Sequence, residues 1–106
     1  MIPQIQPADL KRALDAGVPV VLLDVRQPEE HATCALPNSV LIPLGELAAR
    51  VEEVPSDGTP VVVYCHHGVR SLTGAAILRA AGLEALSLAG GIDRWSQSVD
   101  PSVPRY

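Results

Sequence analysis

Val61-Val62-Val63-Tyr64-Cys65-His66-His67-Gly68-Val69-Arg70-Ser71 decides how this chain is read. Its first four residues are apolar and mostly β-branched, the composition of a buried strand. Over 71–81, Leu72, Ala75, Ala76 and Arg79 recur at helical spacing and predict a helix. Between strand and helix lies a loop that opens on Cys65 and closes on Arg70. Such a loop turns backbone N–H groups towards the positive end of the helix dipole.

That setting favours an anionic sulfur. A free thiol is only ~3% thiolate at neutral pH, and making most of it thiolate takes ~2.7 kcal/mol. A helix N-terminus supplies ~0.3 to 2 kcal/mol. An arginine charge at ~4 Å adds up to ~4 kcal/mol at an effective dielectric of ~20, before desolvation is subtracted. The two together suffice. No acidic residue stands between Gly58 and Leu83 to oppose them. Gly68 allows the loop a positive φ and lets a ligand approach the backbone.

Outward from this stretch, strand-like and helix-like segments alternate. Gln6-Pro7-Ala8-Asp9 opens a helix that runs to about Ala16 and stops at Gly17. The near-continuous apolar run over 20–25 reads as a strand buried on both faces. A long polar connection over 26–38 follows, then a short strand over 39–42. Leu44, Leu47, Ala48 and Val51 share one face of an amphipathic helix over 44–53. After the central strand–loop–helix, residues 83–88 read as a strand. Gly90-Gly91 leads into a short helix over 92–97, and the proline-containing tail is expected to run extended. The alternation implies an α/β fold: a mostly parallel central sheet with helices on both faces. Ligands of such sheets bind beyond the carboxyl ends of the strands. Asp24-Val25-Arg26, the Cys65 loop and Gly90-Gly91 all fall there.

The 106 residues are read as one domain over 1–106. A hydrophobic fraction of 47% supports a core, and with no Phe, one Trp and two Tyr that core is aliphatic. The formal net charge of −4 argues against nucleic acid as a bulk partner. No segment is long enough to span a membrane, and the start lacks signal-peptide features, so the chain reads as cytoplasmic. Two cysteines are too few for a disulfide scaffold. Cys34, among small apolar residues, is read as packing, with a resolving-thiol role as its alternative.

Four motifs, in order, resemble those of a rhodanese domain. The loop Cys65-His66-His67-Gly68-Val69-Arg70 is similar to the family's cysteine loop. Asp24-Val25-Arg26-Gln27-Pro28-Glu29-Glu30 is similar to Asp-Val-Arg-x-Pro-x-Glu. Leu36-Pro37-Asn38-Ser39 with Ile42-Pro43-Leu44 resembles Ile-Pro-Gly-Ala followed by Ile-Pro-Leu. Gly90-Gly91-Ile92-Asp93-Arg94-Trp95 matches Gly-Gly-x-x-x-Trp. Cys34-Ala35 stand where the family often has Gly-His. Asn38 replaces a glycine, and asparagine is the residue that best tolerates a positive φ after glycine. The tail over 100–106 resembles that of rhodanese domains fused to enzymes that activate sulfur-carrier proteins.

The resemblance implies a three-layer rhodanese-like fold and sulfane-sulfur transfer. Cys65 would be the nucleophile and carry a persulfide. Arg70 would pair with the sulfonate-like part of a donor such as thiosulfate. His66, His67, Gly68, Val69, Arg70 and Ser71 would line the substrate site, with Arg26 as a further pocket-wall candidate. The acceptor would be cyanide, a thiol or a protein, and a protein persulfide donor or acceptor is an implied partner. No cofactor is implied, because the cysteine carries the transferred atom.

The residues also have plainer readings. An isolated cysteine ending a strand is most often an inert buried thiol. Arg26 fits a surface charge as well as a pocket wall. Asp24 is expected to organise hydrogen bonds beneath the site, since a carboxylate facing the sulfur would disfavour its charge. Glu30 is read as structural, Trp95 as a core or edge anchor, and the helix over 44–53 as scaffold. No metal is expected: adjacent His66 and His67 rarely converge on one ion, and His31 stands alone. Two other functions compete. A phosphatase or arsenate reductase uses a similar loop with one more residue between Cys and Arg, whereas four separate Cys65 from Arg70. A non-enzymatic persulfide carrier or docking module is the second.

Overall fold

The computed structural model describes residues 2–106. β4 (Val61–Tyr64) is the centre of the sheet and is buried along its whole length. It pairs in parallel with β2 (Val21–Asp24) on one side and β5 (Ala85–Leu88) on the other. β3 (Val40–Leu41) extends the sheet beyond β2, and β1 (Gln4–Ile5) extends it beyond β5. The order is β1-β5-β4-β2-β3, with every pairing parallel. Parallel pairing needs crossovers, and α1 (Pro7–Asp15), α2 (Pro28–Thr33), α3 (Leu44–Leu47), α4 (Arg70–Ala80) and α5 (Gly91–Ser98) lie in the connections and at the end.

Strand periodicity divides the core in two. Val61, Val63 and Cys65 point into one apolar cluster with Leu23, Val25, Ile42, Leu47, Ala75 and Leu78. Val62 and Tyr64 point to the other face, against Leu10, Leu36, Leu88, Ile92 and Trp95. α3 and α4 therefore cover one face, and α1 and α5 the other, as expected of the α/β sandwich. No helix among the described residues is long and apolar enough to cross a membrane.

Three local expectations are corrected, and one strand, β1, was not expected. The connection over 26–38 contains α2: Pro28 sits at its first turn, and Glu30 accepts the Gln27 N–H at 3.0 Å to cap it. The helix expected over 44–53 is broken into α3 and a 3₁₀ turn, Val51–Glu53. Leu44, Leu47, Val51 and Val54 all still reach the same core, so two short pieces satisfy the pattern that suggested one helix. Arg50 leaves helical geometry and holds the break by bonding Glu46 at 2.9 Å and Glu53 at 2.8 Å. β1 is two residues long, too short for a period-2 signal, and forms because β5 offers it an edge. The tail is not simply extended: Asp100 caps a turn through Ser102, and Val103 is buried beside Trp95. This turn brings Tyr106 back to the carboxyl ends of the strands.

Candidate active site at the Cys65 loop

β4 ends at Tyr64 and α4 begins at Arg70, so the loop over 65–69 joins the middle strand to a helix N-terminus. Gly68 adopts φ +94°, which brings its N–H to 3.1 Å from Cys65 Sγ. The Ser71 N–H points at the same sulfur from 3.4 Å. Cys65 Sγ also lies 3.5 Å from Ser71 Oγ, which in turn bonds Ser87 Oγ at 2.7 Å. The thiol is 1% exposed, and two main-chain donors and a hydroxyl face it. The family resemblance implies that the N–H groups of His66 to Arg70 hold the sulfur; of these Gly68 reaches it, and the second amide comes from Ser71 in the first turn of α4.

The start of α5 shapes the loop from beneath. Ile92 donates its N–H to the Cys65 carbonyl at 2.9 Å, and Asp93 donates to the His66 carbonyl at 3.0 Å. Both carbonyl oxygens are thus committed to the helix and not to the sulfur. A side chain at Gly91, whose φ is +63°, would collide with those same two oxygens. Gly90-Gly91 therefore belongs to the site as the seat of the loop.

Arg70 and Glu30 form a bidentate pair, Nη1–Oε1 2.8 Å and Nη2–Oε2 3.0 Å. The sequence segment around Cys65 is free of acids, but the fold supplies one from α2. Arg70 holds the Glu30 carboxyl well below its usual range, at about 2, against the opposing effect of burial. Tyr106 donates its hydroxyl to Glu30 Oε2 at 2.7 Å.

Arg26 does not stand on an open wall. Its side chain is fully buried, pairing with Asp24 through Nε at 2.9 Å and Nη2 at 2.8 Å. Its remaining bonds go to the Cys34 carbonyl at 2.6 Å, the Tyr106 hydroxyl at 2.8 Å and, more weakly, the Cys34 Sγ at 4.0 Å. Burial opposes its charge, but the bonds to Asp24 and Tyr106 prevail and raise its pKa. Asp24 is equally buried and also bonds His31 Nδ1 at 2.8 Å, so His31 is not alone. The pair underpins the site from the end of β2. Cys34 belongs to the core on the opposite face of the sheet from Cys65, which gives the packing reading its structural basis.

His66 packs edge-on against Tyr106, ring centroids 4.1 Å apart, and against His67 at 3.9 Å. Burial, then the neighbouring His67, lowers the His66 pKa. The two imidazoles do converge, contrary to the expectation for adjacent residues: donor atoms of His66, His67 and Asp93 lie within 4.8 Å of one another. Asp93 is already engaged by Arg105 at 3.0 Å and Gln97 at 2.8 Å. Val69 projects outward, 73% exposed at the rim. Sequence reasoning missed Tyr106 and treated Glu30 as scaffold. The capping spacing Gln27-x-x-Glu30 was a signal for α2, but nothing local announces that its carboxylate meets Arg70.

Comparison with known proteins agrees with this architecture. Residues 6–98 match the family model described as Rhodanese-like domain. A sulfurtransferase from Allochromatium vinosum is 34% identical over 97% of this chain and 96% of its own length. The probable adenylyltransferase/sulfurtransferase MoeZ of Mycobacterium tuberculosis is 35% identical over 96% of this chain, which spans only 26% of that protein. The crystal structure of a rhodanese-related protein from Thermoplasma volcanium superposes with a TM-score of 0.85 at 32% identity, covering 98% of this chain and 99% of the other. The likeness first drawn from four short motifs extends along the whole fold: this chain belongs to the rhodanese-like domain family.

Proposed function

We propose that the protein is a sulfurtransferase that carries sulfane sulfur as a persulfide on Cys65. One observation carries the reading: the Gly68 and Ser71 N–H groups converge on Cys65 Sγ at 3.1 and 3.4 Å, an arrangement that stabilises negative charge on a sulfur. A relative named as a sulfurtransferase matches this chain almost end to end and supports the same chemistry.

The Cys65 thiolate attacks the outer sulfur of a persulfide or of thiosulfate. The new Sγ–S bond forms as the donor's S–S bond breaks, and its electron pair leaves on a thiolate or on sulfite. In the second half, an acceptor nucleophile takes the outer sulfur and returns the electron pair to Cys65 Sγ. No oxidant or reductant is consumed. The loop amides hold the charge in both the thiolate and the persulfide form, so neither half-reaction stalls for want of stabilisation. The acceptor is a thiol or a protein; homology to the domain within MoeZ supports a protein partner.

Intact-mass spectrometry tests the reading. The wild-type chain should gain one sulfur atom after exposure to thiosulfate, or to a cysteine desulfurase with cysteine, and Cys65→Ser should gain none. Failure to load from every donor would leave a docking module, and Cys65-dependent turnover of an aryl phosphate without sulfur loading would replace the proposal with phosphatase chemistry.

A further inference from the structure

Arg70, the first residue of α4, closes the Cys65 loop with a cation, yet each of its Nη atoms gives an N–H to Glu30, at 2.8 and 3.0 Å. The carboxylate is itself anchored three ways. It caps α2 through the Gln27 N–H at 3.0 Å, accepts the Tyr106 hydroxyl at 2.7 Å, and grips Arg70 with both oxygens. It is not a loose surface counter-ion that a ligand displaces at little cost. The same pairing recurs around the loop: Arg26 faces Asp24 at 2.8 Å, and Arg105 faces Asp93 at 3.0 Å. Among these three arginines, each guanidinium is matched by a carboxylate, so the positive charge that a small dianion requires is partly cancelled at the loop. Glu30 is also ionised at neutral pH, because Arg70 holds its carboxyl at about 2.

Resting on the sulfurtransferase reading above, we infer that Glu30 is a positioning residue that neutralises Arg70 and thereby selects sulfur donors that leave as thiols over the dianion thiosulfate. In the favoured step the Cys65 thiolate attacks R–S–SH, giving Cys65–S–SH and R–S⁻. The charge carried into the site is one unit, borne by Cys65 itself. In the disfavoured step thiosulfate brings two further negative charges to an arginine whose charge Glu30 already balances, and sulfite must leave with both.

The experiment compares wild type with Glu30→Gln, an isostere that can still cap α2. Steady-state sulfur transfer is measured with thiosulfate and with a persulfide whose alkyl group bears no charge, at low and high salt. Glu30→Gln should lower the KM for thiosulfate about 10-fold with little change in kcat, the gain fading as salt rises. The alkyl persulfide should change less than about 2-fold. A structural role alone would lower both activities together, and that result, or an unchanged thiosulfate KM, overturns the inference. Wild type provides an independent arm: its thiosulfate kcat/KM should not fall with salt, and a steep fall would reveal a free cationic rim and likewise overturn it. Persulfide loading on Cys65 is read by mass in every sample. Absence of loading from both donors sinks the sulfurtransferase reading itself, whereas loading without discrimination sinks only the role of Glu30.

Discussion

Gly68 gives its N–H to Cys65 Sγ across 3.1 Å only because its backbone sits at φ +94°. A Cβ at this position would stand 2.9 Å from the Gly90 nitrogen and 3.3 Å from the Leu88 carbonyl oxygen. Both are main-chain atoms of the β5–α5 junction and cannot swing aside. The loop is thus wedged between the sulfur it serves and the neighbouring strand end.

Gly68→Ala should accordingly cost about 1–3 kcal/mol of stability from backbone strain alone. It should also slow persulfide loading, because relief of the clash moves the amide off the sulfur. Denaturant unfolding and timed mass analysis read the two effects separately. Wild-type loading by a protein with an intact fold would show that this amide is dispensable.

Arg26→Met leaves Asp24 buried and stripped of its guanidinium, with His31 as its remaining side-chain partner. Breaking such a pair from one side costs about 3–5 kcal/mol. The urea midpoint should fall with an unchanged m-value. A loss below about 1 kcal/mol would mean that the pair contributes little to holding the end of β2.

Stability should decline in acid through Glu30. Its carboxyl lies at about 2 in the folded chain against an ordinary 4.5, so the folded state binds the proton less readily than the unfolded one. The stabilisation is complete above about 4.5 and disappears as pH falls towards 2. It amounts to at most about 3 kcal/mol, reduced by solvent screening at the half-exposed Arg70. Thermal unfolding from pH 5 to 2 should therefore be less steeply pH-dependent in Glu30→Gln, although Glu53, Asp57, Asp93 and Asp100, whose carboxyls are also lowered, keep part of the slope. Parallel curves for the two proteins would rule out this contribution.

His66 should titrate below 6.5, since burial and then His67 disfavour its charged form. The linked stability is full above 6.5 and diminishes as pH drops through the lowered value. Tyr106→Ala removes the ring packed at 4.1 Å and should move the titration back up. Imidazole NMR shifts measure it directly, and an unmoved His66 would show that Tyr106 contributes nothing to its burial.

Legibility along the chain followed the range of the interactions. The strand over 61–64 and the loop that follows it are written in consecutive residues: β-branched side chains, one cysteine, one glycine where φ must be positive. Asn38 at φ +61° was readable for the same reason. α3 was over-extended because periodicity records which residues face the core, not whether one helix or two pieces present them. α2 was overlooked because its six residues bury none of their side chains and carry no apolar stripe. β1 owes its existence to an edge made by residues more than eighty positions away.

The amino-acid order by itself determined a thiol at the end of a buried strand, a helix beginning after it and a parallel α/β architecture, since each depends on neighbours in the chain. What surrounds that thiol was decided in three dimensions. Glu30 reaches Arg70 across 40 positions, and Tyr106 reaches Glu30 across 76. Parallel crossovers bring every strand's carboxyl end to one edge of the sheet, so the charge felt at Cys65 is a sum over segments that never meet in the sequence.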